Sequence, residues 1–144
     1  MITEAKQEQI PFIAVMLHSM YNELFPAYAM DDINIYINEV VKHFNDPRDT
    51  VYVDDKLHGF FIIRDETEAL APTMLRYNGL RVYIQKEYRK TRLLAEFYAK
   101  LFEDFPIGDI IGVTEIDSEH IAVLDKRHTR IANMYKLSRK NELA

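Results

Sequence analysis

Between residues 80 and 116 the apolar residues switch from strand-like to helical spacing and back again, and this constrains the fold more than any other feature of the chain. Residues 80–84 form a short apolar run that predicts a strand. From residue 92 to 105 Leu93, Leu94, Phe97, Tyr98, Leu101 and Phe105 fall on one helical face. Residues 110–116 return to a strand pattern rich in β-branched side chains. A strand–helix–strand passage of this length joins two parallel neighbouring strands by a right-handed crossover. The chain must therefore contain a sheet with at least one parallel pair.

The remaining segments predict antiparallel partners for that unit. Residues 2–5 read as a short strand. Ile10, Ile13, Met16, Leu17, Met20 and Leu24 follow amphipathic helical spacing, with Pro11 in the first turn, where a missing N–H costs nothing. Asp31 or Asp32 caps a second helix carrying Ile33, Ile37, Val40, Val41 and Phe44 on one face, and Asn45-Asp46-Pro47 ends it. Residues 51–53 and 57–63 read as two strands around the turn Asp54-Asp55-Lys56. The polar stretch "RDETEALAPTMLRYNG" reads as a loop, Ser118 caps a short helix, and residues 129–138 read as a closing strand. This order predicts an α/β (α+β) architecture, a mixed and largely antiparallel sheet flanked by helices. With 144 residues, one domain spanning 1–144 is expected.

Composition narrows the function classes. A net charge of −5 argues against a general nucleic-acid binder, which needs a basic face. The absence of cysteine excludes thiolate catalysis and disulfides. No apolar stretch approaches the ~20 residues of a membrane helix, and the first residues lack signal-peptide character, so a cytoplasmic protein is expected. The histidines at 18, 43, 58, 120 and 128 show no metal-ligand spacing and read as surface or half-buried residues.

One local feature resists a purely structural account. Lys86, Arg89, Lys90 and Arg92 crowd the start of the helix at 92–105, where the helix dipole prefers anions, while Glu103 and Asp104 sit at its end. A strand running straight into a helix aims free N–H groups past the sheet edge, which makes such a corner an anion site. Either an anion binds there, or the cations are solvated.

Four segments, in this order, carry a family resemblance: "ITEAKQEQIPFI", "VYVDDKLHGFFII", "LRVYIQKEYRKTRLLAEFYAKL" and "NMYKLSRK". They resemble the opening strand and helix, the hairpin with its glycine (here Gly59), the cofactor segment and the closing strand of the GNAT superfamily of acyl-CoA-dependent N-acyltransferases. Nearly the whole chain is covered. The family's Arg-x-x-Gly-x-Gly/Ala pattern falls on Arg89, Lys90, Thr91, Arg92, Leu93 and Leu94. The resemblance implies that backbone N–H groups of this turn hold the pyrophosphate of acetyl-CoA, and that Val82, Tyr83 and Ile84 hydrogen-bond its pantetheine arm. Arg92 and Leu94 stand at the glycine positions, so Leu94 must rotate into the core if the phosphate is to pass.

Acylation of an amine needs a base for the ammonium proton and an acid for the leaving thiolate. Residues 77–84 hold no carboxylate, so Glu115 on the next predicted strand is the candidate base. The family's usual acid, a tyrosine, is matched by Asp125, leaving Tyr135, or Tyr83, as the candidate. The resemblance implies acetyl transfer from acetyl-CoA to an unidentified amine. The alternative is a GNAT-like module without catalysis that binds or regulates, an assembly of several copies included. Compact, glycine-poor members of the family occur in bacteriophages, which suggests a similar origin.

Overall fold

The computed structural model describes residues 1–112 of the 144. Five strands, β1 (Ile2–Glu4), β2 (Asp49–Asp54), β3 (Gly59–Asp65), β4 (Arg76–Ile84) and β5 (Asp109–Gly112), form one open sheet in sequence order. Neighbours pair antiparallel from β1 to β4, while β4 and β5 run parallel. The helix between those two, α3 (Leu93–Asp104), makes the expected crossover, and α1 (Ile10–Leu24) and α2 (Ile33–Asn45) lie between β1 and β2. The mixed, mostly antiparallel sheet with flanking helices is the architecture the sequence predicts.

Alternation along the strands divides the core into two layers. Val51, Val53, Phe60, Ile62 and Tyr83 pack with Ile13, Met16, Leu17, Met20, Tyr36 and Val40 of α1 and α2. Tyr52, Phe61, Ile63, Tyr77 and Ile84 pack with Leu93, Phe97 and Leu101 of α3. The central strand β3 is apolar on both faces, which is why "GFFII" reads as an unbroken run. Each fully buried large side chain, Phe60 or Phe97 for example, contributes ~2–3 kcal/mol of burial. Gly59 is glycine for steric reasons: a Cβ there would lie 2.7 Å from the Tyr83 carbonyl oxygen.

Local signals account for most element ends. Pro11 occupies the first turn of α1, and Asp32 caps α2 by accepting from the Asn34 N–H at 3.0 Å. Two expectations are corrected. Leu24, expected on the apolar face of its helix, is exposed, and His43, expected at the surface or half-buried, is buried at 6% exposure. The larger correction concerns residues 64–79, expected as one loop. Arg64 and Asp65 belong to β3 and residues 76–79 to β4, which is nine residues long. Arg76, Asn78 and Gly79 have no strand-forming pattern of their own; pairing with β5, and for Asn78 and Gly79 also with β3, makes them strand. The predicted helix after Ser118 and the strand at 129–138 lie outside the described residues, as does the latter part of the strand at 110–116.

Candidate functional site: the end of β4 and the turn into α3

β4 changes character along its length. Residues 77–79 pair with β3 on one side and β5 on the other, and Arg76 with Asp109 of β5. Ile62 then pairs with Arg81 and Ile63 with Gly79, so Leu80 is an extra residue in a bulge. A bulge twists its strand and disrupts the ladder locally; pairing with β3 resumes from Arg81 to Ile84. Beyond it the edge of β4 that faces away from β3 has no strand partner among the described residues, and its Ile84 carbonyl accepts from Arg89 Nε at 2.9 Å. The bulge also puts Leu80, Arg81 and Tyr83 toward α1 and α2, and leaves Val82 toward the α3 side, half-exposed.

The strand runs into a single 3-10 turn, Lys86–Tyr88, and then α3, whose cap residue is Arg92. Arg92 gives no side-chain cap. Of the first four helical donors, only the Leu93 N–H finds an acceptor, the Thr91 hydroxyl at 3.3 Å. The N–H groups of Arg92, Leu94 and Ala95 have none among the described residues. Every residue of this turn has negative φ; the positive values among the described residues are at Leu57 and Gly108. The turn therefore opens without the backbone freedom of glycine. Leu94 packs with the α3-side core, and Arg92 projects to solvent, so neither replacement fills the recess.

The four cations of this corner split into two kinds. Arg89 is committed internally. Its Nε donates to the Ile84 carbonyl at 2.9 Å, its Nη2 to Glu23 Oε2 at 2.6 Å, and its Nη1 to Glu23 Oε1. Its guanidinium also lies 5.5 Å from the Tyr83 ring centroid, and the Tyr83 hydroxyl donates to Glu23 at 3.2 Å. The hydrogen-bonded Arg89 holds the Glu23 carboxyl below its usual pKa, and burial together with the Glu23 charge pushes the Tyr83 phenol up. At neutral pH the trio is a fixed set of a carboxylate, a phenol and a guanidinium. This makes Tyr83 a structural donor rather than a ready acid. Lys86, Lys90 and Arg92, by contrast, are exposed and have no carboxylate within ion-pair distance among the described residues. On the other side of the turn the Tyr88 ring stacks on His58 at 3.5 Å and 8° between planes, while Asp54 accepts from the His58 and Gly59 N–H groups at 2.7 and 2.9 Å.

The structure therefore brings Val82, Tyr83, Ile84, Arg89, Lys90, Thr91, Arg92, Leu93 and Leu94 to one corner, and reassigns Arg89 from open cation to internal brace. Glu115 and Tyr135 lie outside the described residues, as does Asp125. Glu23, Glu39, Tyr21 and His58 join the site unforeseen. Glu39 of α2 lies 3.5 Å from Arg81, which also donates to the Tyr21 hydroxyl at 3.2 Å. Their separations in sequence, up to 66 residues for Glu23 and Arg89, leave no local pattern to read. No group of three or more His, Cys, Asp or Glu among the described residues could hold a metal ion, and no described helix is long and apolar enough to cross a membrane.

No protein-family model and no curated protein matches the sequence. Solved structures do. A "possible acetyltransferase" from Clostridium difficile 630 superposes with a TM-score of 0.78 at 17% identity, covering 96% of this chain and 97% of its own. The aminoglycoside 6'-N-acetyltransferase AAC(6')-Ih of Acinetobacter baumannii gives 0.72 at 9% identity over 97% of both chains. The aminoglycoside N-acetyltransferase AAC(6')-Iy, solved in complex with CoA, gives 0.70 at 7% identity over 97% and 98%. Such identities carry the fold and nothing finer, and on that ground the chain has the fold of the GNAT acetyltransferases.

Proposed function

We propose that this protein is an acyl-CoA-dependent N-acyltransferase that moves an acetyl group from acetyl-CoA to an amine. One observation supports it most: the unanswered N–H groups of Arg92, Leu94 and Ala95 open beside a strand edge that has no partner among the described residues. Coenzyme A needs both features together. A diphosphate suits helix N–H donors, with Lys86, Lys90 and Arg92 supplying charge. The two amides of pantetheine suit an open strand edge, which a linear chain extends as an added strand. In the reaction the amine nitrogen attacks the thioester carbonyl, the C–S bond breaks, and the amine proton passes to a base. Glu115 and Tyr135 are kept as the proposed base and acid. Glu39, on Arg81, and Glu23, on Tyr83, are the described carboxylates that reach residues 80–84 of β4.

Calorimetric titration with acetyl-CoA, followed by thiol release across a panel of amines, tests this reading. Saturable binding with amine-dependent thiol release is expected; no binding at millimolar acetyl-CoA overturns it. A second reading, a binding module without turnover, draws support from Arg89, the motif's arginine, being spent on Glu23. It predicts acetyl-CoA binding with no thiol release above the spontaneous rate for any amine.

A further inference from the structure

We infer that Glu23 is a positioning residue of the cofactor turn: from the last turn of α1 it fixes Arg89, and through Arg89 the shape of the corner that leaves the first N–H groups of α3 open. This rests on the acyl-CoA reading above and goes beyond it in assigning a function to the far end of α1. The corner has no glycine and no side-chain cap from Arg92, so something other than local backbone preference must keep it extended from the sheet. Arg89 does so by three donor groups at once. Nε ties the turn to the last carbonyl of β4, and the two terminal nitrogens tie it to both oxygens of Glu23. A planar guanidinium gripped bidentately by a carboxylate cannot swivel, so the turn cannot either. The Tyr83 hydroxyl fixes Glu23 in its turn, and the Tyr83 ring lies under the guanidinium. The stack of His58 on Tyr88 holds the opposite side of the same turn.

The consequence has a definite sign. If Arg89 were a phosphate ligand held back by Glu23, removing the carboxylate would release a cation and tighten cofactor binding. As a brace, Arg89 needs Glu23, and removing either lets the turn relax and weakens binding. Acetyl-CoA affinity is measured by calorimetry for wild type, Glu23→Ala, Glu23→Gln, Arg89→Ala and the Glu23→Ala/Arg89→Ala double variant, with melting curves alongside. Glu23→Ala is expected to weaken binding roughly tenfold, Arg89→Ala about equally, and the double variant no further, because the two act as one unit. Glu23→Gln, which keeps one acceptor, falls between. KM for acetyl-CoA rises while kcat at saturating acetyl-CoA stays near the wild-type value, a split that general loss of stability does not produce. Unchanged or tighter binding by Glu23→Ala and Glu23→Gln, in a wild type that binds, overturns this inference alone, as do additive losses in the double variant. A wild type that binds no acetyl-CoA overturns the parent reading and this inference with it.

Discussion

The two ends of the sheet are built from nearly the same parts and do opposite things. At one end Asp49, Arg64, Asn78 and Ile111 stand side by side in a fully paired ladder. Asp49 there accepts from His43 at 2.7 Å and from Arg64 at 2.6 and 2.9 Å, with its carboxylate shut off from solvent. At the other end Asp54 faces His58 at 3.6 Å, and an arginine again meets a carboxylate, Arg89 with Glu23. The closed end spends its charges on one another. The open end has the same internal pairs and, in addition, three exposed cations and three N–H groups with no acceptor among the described residues. Between the two lies one extra residue in β4, Leu80, which has no opposite number in β3.

Substitutions at the closed end are expected to change stability and leave affinity alone. Ile63→Ala, opposite Gly79 and almost fully buried, should cost ~2–5 kcal/mol in denaturant unfolding through the cavity it leaves. The acetyl-CoA affinity of the folded fraction should not move. A large loss of affinity at unchanged stability would break the division between the ends.

Asp49→Asn should cost about 2 kcal/mol, moderated because Arg64 reaches solvent. Its pH dependence fixes the mechanism. Burial alone would raise the Asp49 pKa, yet the bonds from Arg64 and His43 outweigh it and hold it below 3.8. A depressed carboxylate contributes stability above its unfolded pKa and loses it as pH falls through the folded value. The stability gap between wild type and Asp49→Asn should therefore be constant above about pH 5 and shrink on acidification below about pH 4. A gap that grew on acidification would contradict the ion-pair account.

Changes at the open end should show the reverse. Lys90→Ala combined with Arg92→Ala removes two exposed cations that make no described ion pair, so unfolding should shift by less than ~0.5 kcal/mol. Acetyl-CoA binding should weaken about tenfold at low salt, with the difference narrowing as salt screens the wild type. Equal salt sensitivity in both proteins would remove these residues from the site.

The smallest effect sharpens the question the missing glycines pose. Since the turn needs no positive φ and Leu94 packs with the core, Leu94→Gly should not tighten acetyl-CoA binding, and should cost more than the ~1 kcal/mol of a glycine in a helix, because the packing of the side chain is lost as well. A tenfold gain in affinity would show that the leucine obstructs the phosphate.

Much of this was legible in the sequence, for reasons that are local. The apolar runs of β2 and β3 around the turn at residues 54–56, the cap at Asp32 and Pro11 in the first turn of α1 each place an element by its own residues. Residues 76–79 were not legible, because a polar "RYNG" becomes strand only when two neighbours pair with it. The corner was visible as misplaced charge, but the role of Arg89 was not, since its partner lies on another helix. The burial of His43 likewise depends on Asp49 and Arg64 converging from two strands.

The most direct test of the central claim is an electron-density map of crystals soaked in acetyl-CoA. The account predicts a diphosphate on the N–H groups of Arg92, Leu94 and Ala95, and a pantetheine chain laid along residues 80–84 as an added strand. Clear density for the cofactor elsewhere on the molecule, or none at saturating ligand, would contradict it.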